Sequence, residues 1–376
     1  APVRHRMNIA QGWPAVGGKA QLYLIPAYLE QLKKFGITCT SGSRSSKDVP
    51  LVERAIRDSG ITFLSSEIHT AAGIGGKRPF NLNKKIKNKF DLIRIPCLSA
   101  PGHKENLAKV TYISHHFNYG VMILPGPDEA NMFSEWDGCF SPHCQKEFRK
   151  WLKKVYPSLE ALNKSWDCNF KSWDDVIALT AAEVRKKKSF AGWVDHRTFN
   201  EWNRADSYRI MLKGMDKATG NIPYSLSGTS ETNPWNAWDW YQLMPWLKTL
   251  AAYSGEQTIQ HRSFAPHRLS SMPWIGYDGD GDGQHQLILM NLMNGCTGFN
   301  IFGNNNFQPD FRHSPKAEEL IKVLDLYRNG PGEAIMRMNF KSYPVAFLYS
   351  PASIKVNWIT GFSNQRTAST AGFAQI

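Results

Sequence analysis

Tyr119-Gly-Val-Met-Ile-Leu-Pro125 is an apolar run of strand length, bounded by a glycine and a proline. Asp128-Glu129 follow at its C-terminal end, and Glu135-Trp-Asp-Gly-Cys-Phe-Ser-Pro-His-Cys144 comes next. The segment Gln145–Tyr156 then reads as a helix, because Phe148, Trp151, Leu152 and Val155 share one face at 3.6-residue spacing. Pro157 stops it, and Leu159–Trp166 and Trp173-Asp-Asp-Val-Ile177 complete the stretch. A carboxylate at the end of a buried strand suits the active-site face of a parallel barrel. The commoner fate of a lone acid is a cap or an ion pair.

Outward from this stretch the chain repeats one rhythm: helix, glycine, short apolar strand. Met7–Trp13 is the first expected strand. A helix over Leu24–Phe35 leads to a second strand at Ile37–Ser41, and a helix over Val49–Ser59 to a third at Ile61–His69. Residues 70–103 read as a long loop over the barrel top, and Lys104–Phe117 as the helix feeding the strand before Glu129. A Trp- and Lys-rich insertion over 130–200 follows, then a helix at Phe199–Ala218 and a fifth strand at Ile222–Gly228. Trp238–Ala252 is expected to be helical, with the sixth strand within Leu250–His261. Met272–Asp278 is the seventh strand, Leu287–Met293 a helix and Gly298–Gly303 the eighth strand. The expected fold is therefore α/β, a (β/α)8 TIM barrel with long loop insertions. After a helix at Ala317–Arg328, Gly330-Pro-Gly marks a boundary. The expected division is a barrel over 1–332 and the beginning of a second α/β domain over 333–376, its first strand at Tyr343–Ser350.

A chain of 376 residues with 42% hydrophobic and 20% charged residues buries a large core. It has no apolar run of 18 residues, so no membrane span is expected. The formal charge of +13 is high. Lys84, Lys85, Lys87 and Lys89 form one cluster, and Arg185 to Lys188 another. Such runs are most often solvated faces; the competing reading is a polyanionic partner. No nucleic-acid-binding signature accompanies the charge, so nucleic acid is not expected as a partner. Six cysteines in a chain this long do not form a disulfide framework. Thirteen tryptophans serve either as core or as a sugar-stacking wall, Trp235, Trp238, Trp240 and Trp246 being crowded together.

The central stretch resembles glycoside hydrolase family 42, retaining enzymes of the β-galactosidase type. The matching residues are His143-Cys144, Phe148-Arg-Lys-Trp-Leu152, the run Leu159-Glu-Ala-Leu-Asn-Lys-Ser-Trp166 and, upstream, Arg94-Ile-Pro-Cys97-Leu-Ser-Ala-Pro101. The resemblance implies hydrolysis of a β-linked, galactose-containing glycan by an acid/base and a carboxylate nucleophile. Glu129 falls at the acid/base position. Asp128 stands where the family has an asparagine, and a neighbouring carboxylate tends to raise the pKa of Glu129. Arg94 matches a substrate-binding arginine, the alternative being a surface ion pair. Trp136, Trp238, Trp274 and Tyr277 complete the expected substrate contacts. The family's seventh strand ends in glutamate; here Tyr277 occupies that place and Asp278 follows, so Asp278 is expected as nucleophile, with Asp280, Glu256 and Tyr277 as alternatives. Asp278-Gly-Asp-Gly-Asp-Gly283 opens like an EF-hand loop but has Leu289 where the closing glutamate belongs.

The resemblance also places Cys97, Cys139 and Cys144 on three of four positions of a structural zinc site, with Ser141 at the fourth and His143 adjacent. A zinc site and a metal-free thiol cluster both remain readings; catalysis needs no cofactor. The expected partner is an oligo- or polysaccharide, of anionic character in the second reading, cleavage of a sulfated marine galactan of carrageenan or agar type. A third reading is a catalytically silent carbohydrate-binding barrel. A homo-oligomer is left open. Secretion or a periplasmic location is the expectation, a cytoplasmic one the alternative. In the family the position of Tyr343 begins a trimerisation domain, and the chain stops at Ile376, too early to complete it.

Overall fold

The computed structural model describes residues 8–16, 25–42, 54–56, 58–65, 86–109, 120–123, 137–219, 225–229, 232–253, 255–265, 270–276, 281–302, 306, 312–338, 346 and 348–361. Its strands are β1 (Asn8–Val16), β2 (Cys39–Gly42), β3 (Thr62–Ser65), β4 (Gly120–Ile123), β5 (Ser227–Thr229), β6 (Thr249–Ala252), β7 (Ser270–Ser271), β8 (Trp274–Ile275) and β9 (Gly298–Phe302). Hydrogen bonding orders them β4-β3-β2-β1-β9-β8 in one ladder and β5-β6-β7 in another. Every pairing is parallel. A bridge from Ser271 to Cys296 ties the two ladders together. β7 and β8 are two halves of one barrel strand, interrupted at Met272-Pro273, because proline has no N–H to give to a ladder. The fold is a (β/α)8 barrel.

The helices are α1 (Ile25–Lys34), α2 (Pro101–Lys109), α3 (Pro142–Val155), α4 (Leu159–Trp166), α5 (Ala181–Lys187), α6 (Ala191–Thr219), α7 (Trp240–Leu243), α8 (Gly255–Phe264), α9 (Gly281–Met293), α10 (Pro315–Arg328), α11 (Pro331–Arg337) and α12 (Pro351–Ile359). Local chemistry sets the boundaries of those between β4 and β5. Ser141 caps α3 by accepting from the Cys144 N–H at 3.1 Å, with Pro142 in the first turn. Ser158 caps α4, which closes on Asp167 in the left-handed region (φ 52°). Thr180 and Glu183 form a capping box on α5.

Three departures from the sequence reading stand out. The expected helix Trp238–Ala252 is only the single turn α7 and a 3-10 turn at Met244–Trp246, and Thr249–Ala252 is strand β6. Pro245 prevents the helix from propagating. All four residues of β6 are buried, and an apolar run buried on both faces has no period to separate strand from helix. Gly255–Phe264, in the window assigned to the sixth strand, is helix α8. The helix expected at Leu287 begins at Gly281, so residues 281–283 open α9 rather than continue a calcium loop.

The half of the barrel around β1 and β9 packs on aliphatic side chains. Ile25, Leu29 and Leu32 of α1 join Ile275, Ile288, Phe299, Ile301, Leu320 and Leu324. The insertion after β4 packs on rings: Phe140, Phe148, Trp166 and Phe199, with Leu152 and Leu162 between them. Helix α12 docks onto α6. Lys355 donates to Glu201 at 2.7 Å with both side chains 2% exposed, and the Trp358 ring stacks on Trp193 (5.4 Å) and meets Trp235 edge-on (4.7 Å). Of the strand expected at Tyr343–Ser350, residues 346 and 348–350 are described and none is in a strand; the others lie outside the described residues.

Candidate active site and thiol cluster

In a parallel barrel the chemistry sits where strands end. Strand β4 ends at Ile123; Asp128, Glu129 and Trp136 beyond it lie outside the described residues. Strand β8 ends at Ile275. Gly276 follows at φ +86°, where a Cβ would stand 3.1 Å from the Phe302 carbonyl oxygen, so only glycine fits this turn. Tyr277, Asp278 and Asp280 beyond it also lie outside the described residues. Glu256 does not end the sixth strand: it falls in the first turn of α8, past the end of β6 at Ala252. Trp274 on β8 is half-buried. Its neighbour Ile275 joins the aliphatic core, so strand alternation turns Trp274 to the opposite face.

Arg94 is 1% exposed, which removes the surface ion-pair reading. Its Nη1 donates to the Pro96 carbonyl at 2.6 Å and its backbone N–H to Cys139 Sγ at 3.3 Å. Burial, with Arg204 beside it, lowers its pKa to about 10. Trp238 departs from its expected role. At 1% exposure, it stacks on Trp240 at 4.8 Å and 10°, and the Arg204 guanidinium lies 3.4 Å from its ring centre. No face is left for a sugar. Trp235 (6%) and Trp240 (0%) are core as well, and the crowded tryptophans serve packing.

The reading of the sequence missed the polar face of α6. His196, Asn200, Asn203 and Ser207 recur at steps of four, three and four, so they line one face, and each is buried. Asn200 Nδ2 and Arg197 Nη2 donate to the Gly138 carbonyl at 2.8 and 3.1 Å. Asn203 Nδ2 donates to Ser99 Oγ at 3.0 Å. Trp193 Nε1 donates to Asp137 Oδ1 at 2.7 Å. One helix thereby fixes the two segments carrying Cys97 and Cys139. The available signal was the spacing, hidden because Asn, Arg and His are ordinarily surface residues.

Cys97, Cys139 and Cys144 converge with their sulfurs all within 4.8 Å of one another. Cys97 Sγ and Cys144 Sγ are 3.7 Å apart. A tetrahedral zinc with Zn–S bonds of about 2.3 Å requires sulfurs about 3.8 Å apart, so the thiols fit three vertices. The fourth is not His143, which is exposed on the first turn of α3. Ser141 Oγ stands 3.0 Å from Cys97 Sγ and Ser99 Oγ 3.4 Å from Cys144 Sγ, so hydroxyls occupy that side. Hydrogen bonds from Cys139 and Cys144 hold the Cys97 thiol well below the usual thiol range. The thiol of Cys144 is pushed up by Cys139, by Cys97 and by burial.

Comparison with known proteins bears on this geometry. The family model for glycoside hydrolase family 42, described as β-galactosidase, matches residues 110–269. The β-galactosidase BgaP of Planococcus sp. (strain L4) is 26% identical over 157 residues, 38% of this chain and 22% of that protein. Across the first three curated β-galactosidases matched, the aligned region spans 14–25% of their lengths. Among solved structures, the family 42 β-galactosidase Gan42B from G. stearothermophilus, in a catalytic mutant form, superposes with a TM-score of 0.69 at 14% identity, covering 99% of this chain and 63% of that one. The catalytic domain of β-amylase from Paenibacillus polymyxa reaches 0.61 at 13% identity, covering 86% and 98%. Two differently named activities on one fold show that likeness of shape at this identity speaks for the barrel alone. Taken with the residue pattern from Arg94 to Trp166, the match across β4 to α8 makes this part of the chain similar to glycoside hydrolase family 42.

Proposed function

We propose that this protein is a retaining glycoside hydrolase acting on β-linked galactose, with Glu129 as acid/base and Asp278 as nucleophile. The observation that carries the reading is the match over 110–269, which includes β4 and the Asp128-Glu129 pair beyond its C-terminal end. Retention needs two carboxyls about 5 Å apart on either side of the anomeric carbon. The end of β8 at Ile275 supports Asp278 in the second position, because that residue lies three residues beyond a strand end, where a parallel barrel carries its catalytic groups. Arg94, fixed through Pro96 and Cys139, is a rigid donor for a sugar hydroxyl. The test is hydrolysis of an aryl β-galactoside followed by proton NMR. Release of β-galactose before mutarotation is expected. First release of the α-anomer, or no turnover on aryl galactoside and galactan alike, sinks the proposal, and the second outcome would leave a carbohydrate-binding barrel.

The finer reading, a sulfated galactan as substrate, is favoured by the charge of +13. The thiol cluster is proposed to hold one structural zinc through Cys97, Cys139 and Cys144. Bound there, the ion would cross-link the segment before α2 to the start of α3. Metal analysis of unchelated protein should give about one zinc per chain, and a metal-free chain of full thermal stability would contradict it.

A further inference from the structure

Helix α3 carries Lys146, Arg149, Lys150, Lys153 and Lys154 against a single acid, Glu147. The four lysines recur at i, i+4, i+7 and i+8, so they share one face, and all four are exposed. Glu147 answers Lys150 at 2.7 Å. Among the described residues, no carboxylate lies within ion-pair distance of Lys146, Lys153 or Lys154. Two half-buried indoles underlie the C-terminal end of this stripe. Lys153 Nζ stands 5.7 Å from the Trp173 ring centre and Lys154 Nζ 6.0 Å from that of Trp202. The nearby charges of opposite sign are engaged elsewhere. Asp174 lies 3.9 Å from Arg149, Asp175 caps the turn at Ser172, and Asp206 holds Lys104 at 3.2 Å.

Most lysine runs are solvated faces. This one differs in two respects. Its outer ammoniums stand over rings, which lowers the cost of ordering them. Its helix also belongs to the insertion that leaves the C-terminal end of β4, the side on which a barrel opens its cleft. We propose that this lysine–tryptophan face is a second glycan-binding surface, for a sulfated polysaccharide strand, separate from the strand-end carboxylates. Ammonium groups pair with sulfate esters while the C–H face of a pyranose lies on an indole. The sugar part of this ligand rests on the glycosidase reading; the charge part does not.

The test is titration of the full chain with a sulfated galactan, its desulfated form and double-stranded DNA, at low and high salt. The triple variant K146E/K153E/K154E should weaken binding of the sulfated galactan about tenfold or more. The triple variant K34E/K186E/K322E removes the same charge from α1, α5 and α10. It should stay within about twofold of the parent, because exposed charges beyond about 10 Å are screened. The variant Trp173→Ala should weaken the sulfated ligand while leaving DNA binding unchanged. Equal losses in the two triple variants would reduce the effect to net charge and overturn the proposal. Equal binding of desulfated galactan, or DNA binding as tightly as the sulfated ligand, would overturn it too. Turnover of a small aryl β-galactoside by the unsubstituted chain reports the catalytic reading separately, since that substrate carries no sulfate.

Discussion

The barrel around β1 and β9 and the insertion between β4 and β5 solve the same packing problem with different chemistry. The first fills the space between sheet and helices with Ile and Leu from α1, α9 and α10 and with Phe299 of β9. The second stacks Phe148 on Trp166 and Trp151 at 6.1 and 6.2 Å, then threads buried polar groups through the rings. Trp166 Nε1 and Tyr156 Oη both donate to Asp195 at 2.7 Å. Aliphatic layers tolerate exchange of shape, whereas a ring cluster with buried hydrogen bonds admits one arrangement. The lesson is a division of labour: the insertion is a rigid platform that positions thiols and lysines, while the proposed chemistry is assigned to the strand ends.

The largest expected effect separates those roles. Glu129→Gln should cut turnover of galactosides with poor leaving groups by about 10²–10⁴-fold, the share of general acid–base catalysis. Melting temperature should scarcely move. Unchanged turnover on natural glycan would return Glu129 to the structural residues.

Next comes the contrast in packing. Trp166→Ala in the insertion should cost about 3–5 kcal/mol and Leu324→Ala in the aliphatic layer about 2–5 kcal/mol, read from denaturant midpoints. The informative part is what each disturbs. Trp166→Ala also takes one of the two donors from Asp195, whose pKa burial already raises, and should lower the affinity of the thiol cluster for zinc. Leu324→Ala should leave metal content intact. Loss of metal from both variants would mean that the two regions are one cooperative unit.

The smallest effect is a pH dependence. Burial, helped by Arg197 and Lys89, keeps His196 well below the usual histidine range, and burial lowers His261 to about 3. Below pH 6.5 the unfolded chain takes up protons at these sites and the folded chain does not, so their contribution to stability is lost as pH falls. Glu201 works in the opposite sense. Burial, opposed by Lys355, raises it to about 7, so its contribution is lost as pH rises from 4.5 through 7. At pH 5 the variant His196→Phe should be less destabilised by acid than the parent, because it has no imidazole to charge on unfolding. A Phe keeps a ring beside Phe140 and Phe148, whose centres lie 5.2 Å from that of His196. Parallel melting-against-pH curves for variant and parent would contradict the assignment.

How far the sequence could be read follows the same division. Strand β4 was legible because a glycine and a proline bound its apolar run, and helix α3 because it has one clear period and a proline to end it. Strand β6 was not, since Thr249–Ala252 is buried on both faces and loses the alternation that marks a strand. Trp238 was ambiguous by nature: an indole suits a core and a sugar equally, and only Arg204 and Trp240 against its ring decide between them. Convergence of Cys97 with Cys139 and Cys144 followed from the resemblance. Ser141 at the fourth position came from the same resemblance, whereas the Ser99 hydroxyl beside Cys144 and the outward side chain of His143 did not. The buried face of α6 had the right spacing but the wrong residue types for a core.

The central claim is a carboxylate nucleophile at the end of the seventh barrel strand. Incubation with a 2-deoxy-2-fluoro galactoside carrying an activated leaving group should trap the glycosyl-enzyme, because fluorine slows both its formation and its breakdown while the activated leaving group restores the rate of formation alone. Digestion and mass mapping should then place one fluorogalactosyl group on Asp278. A label on Glu256, Asp280 or Tyr277, or an Asp278→Asn variant with parental turnover, would contradict the account.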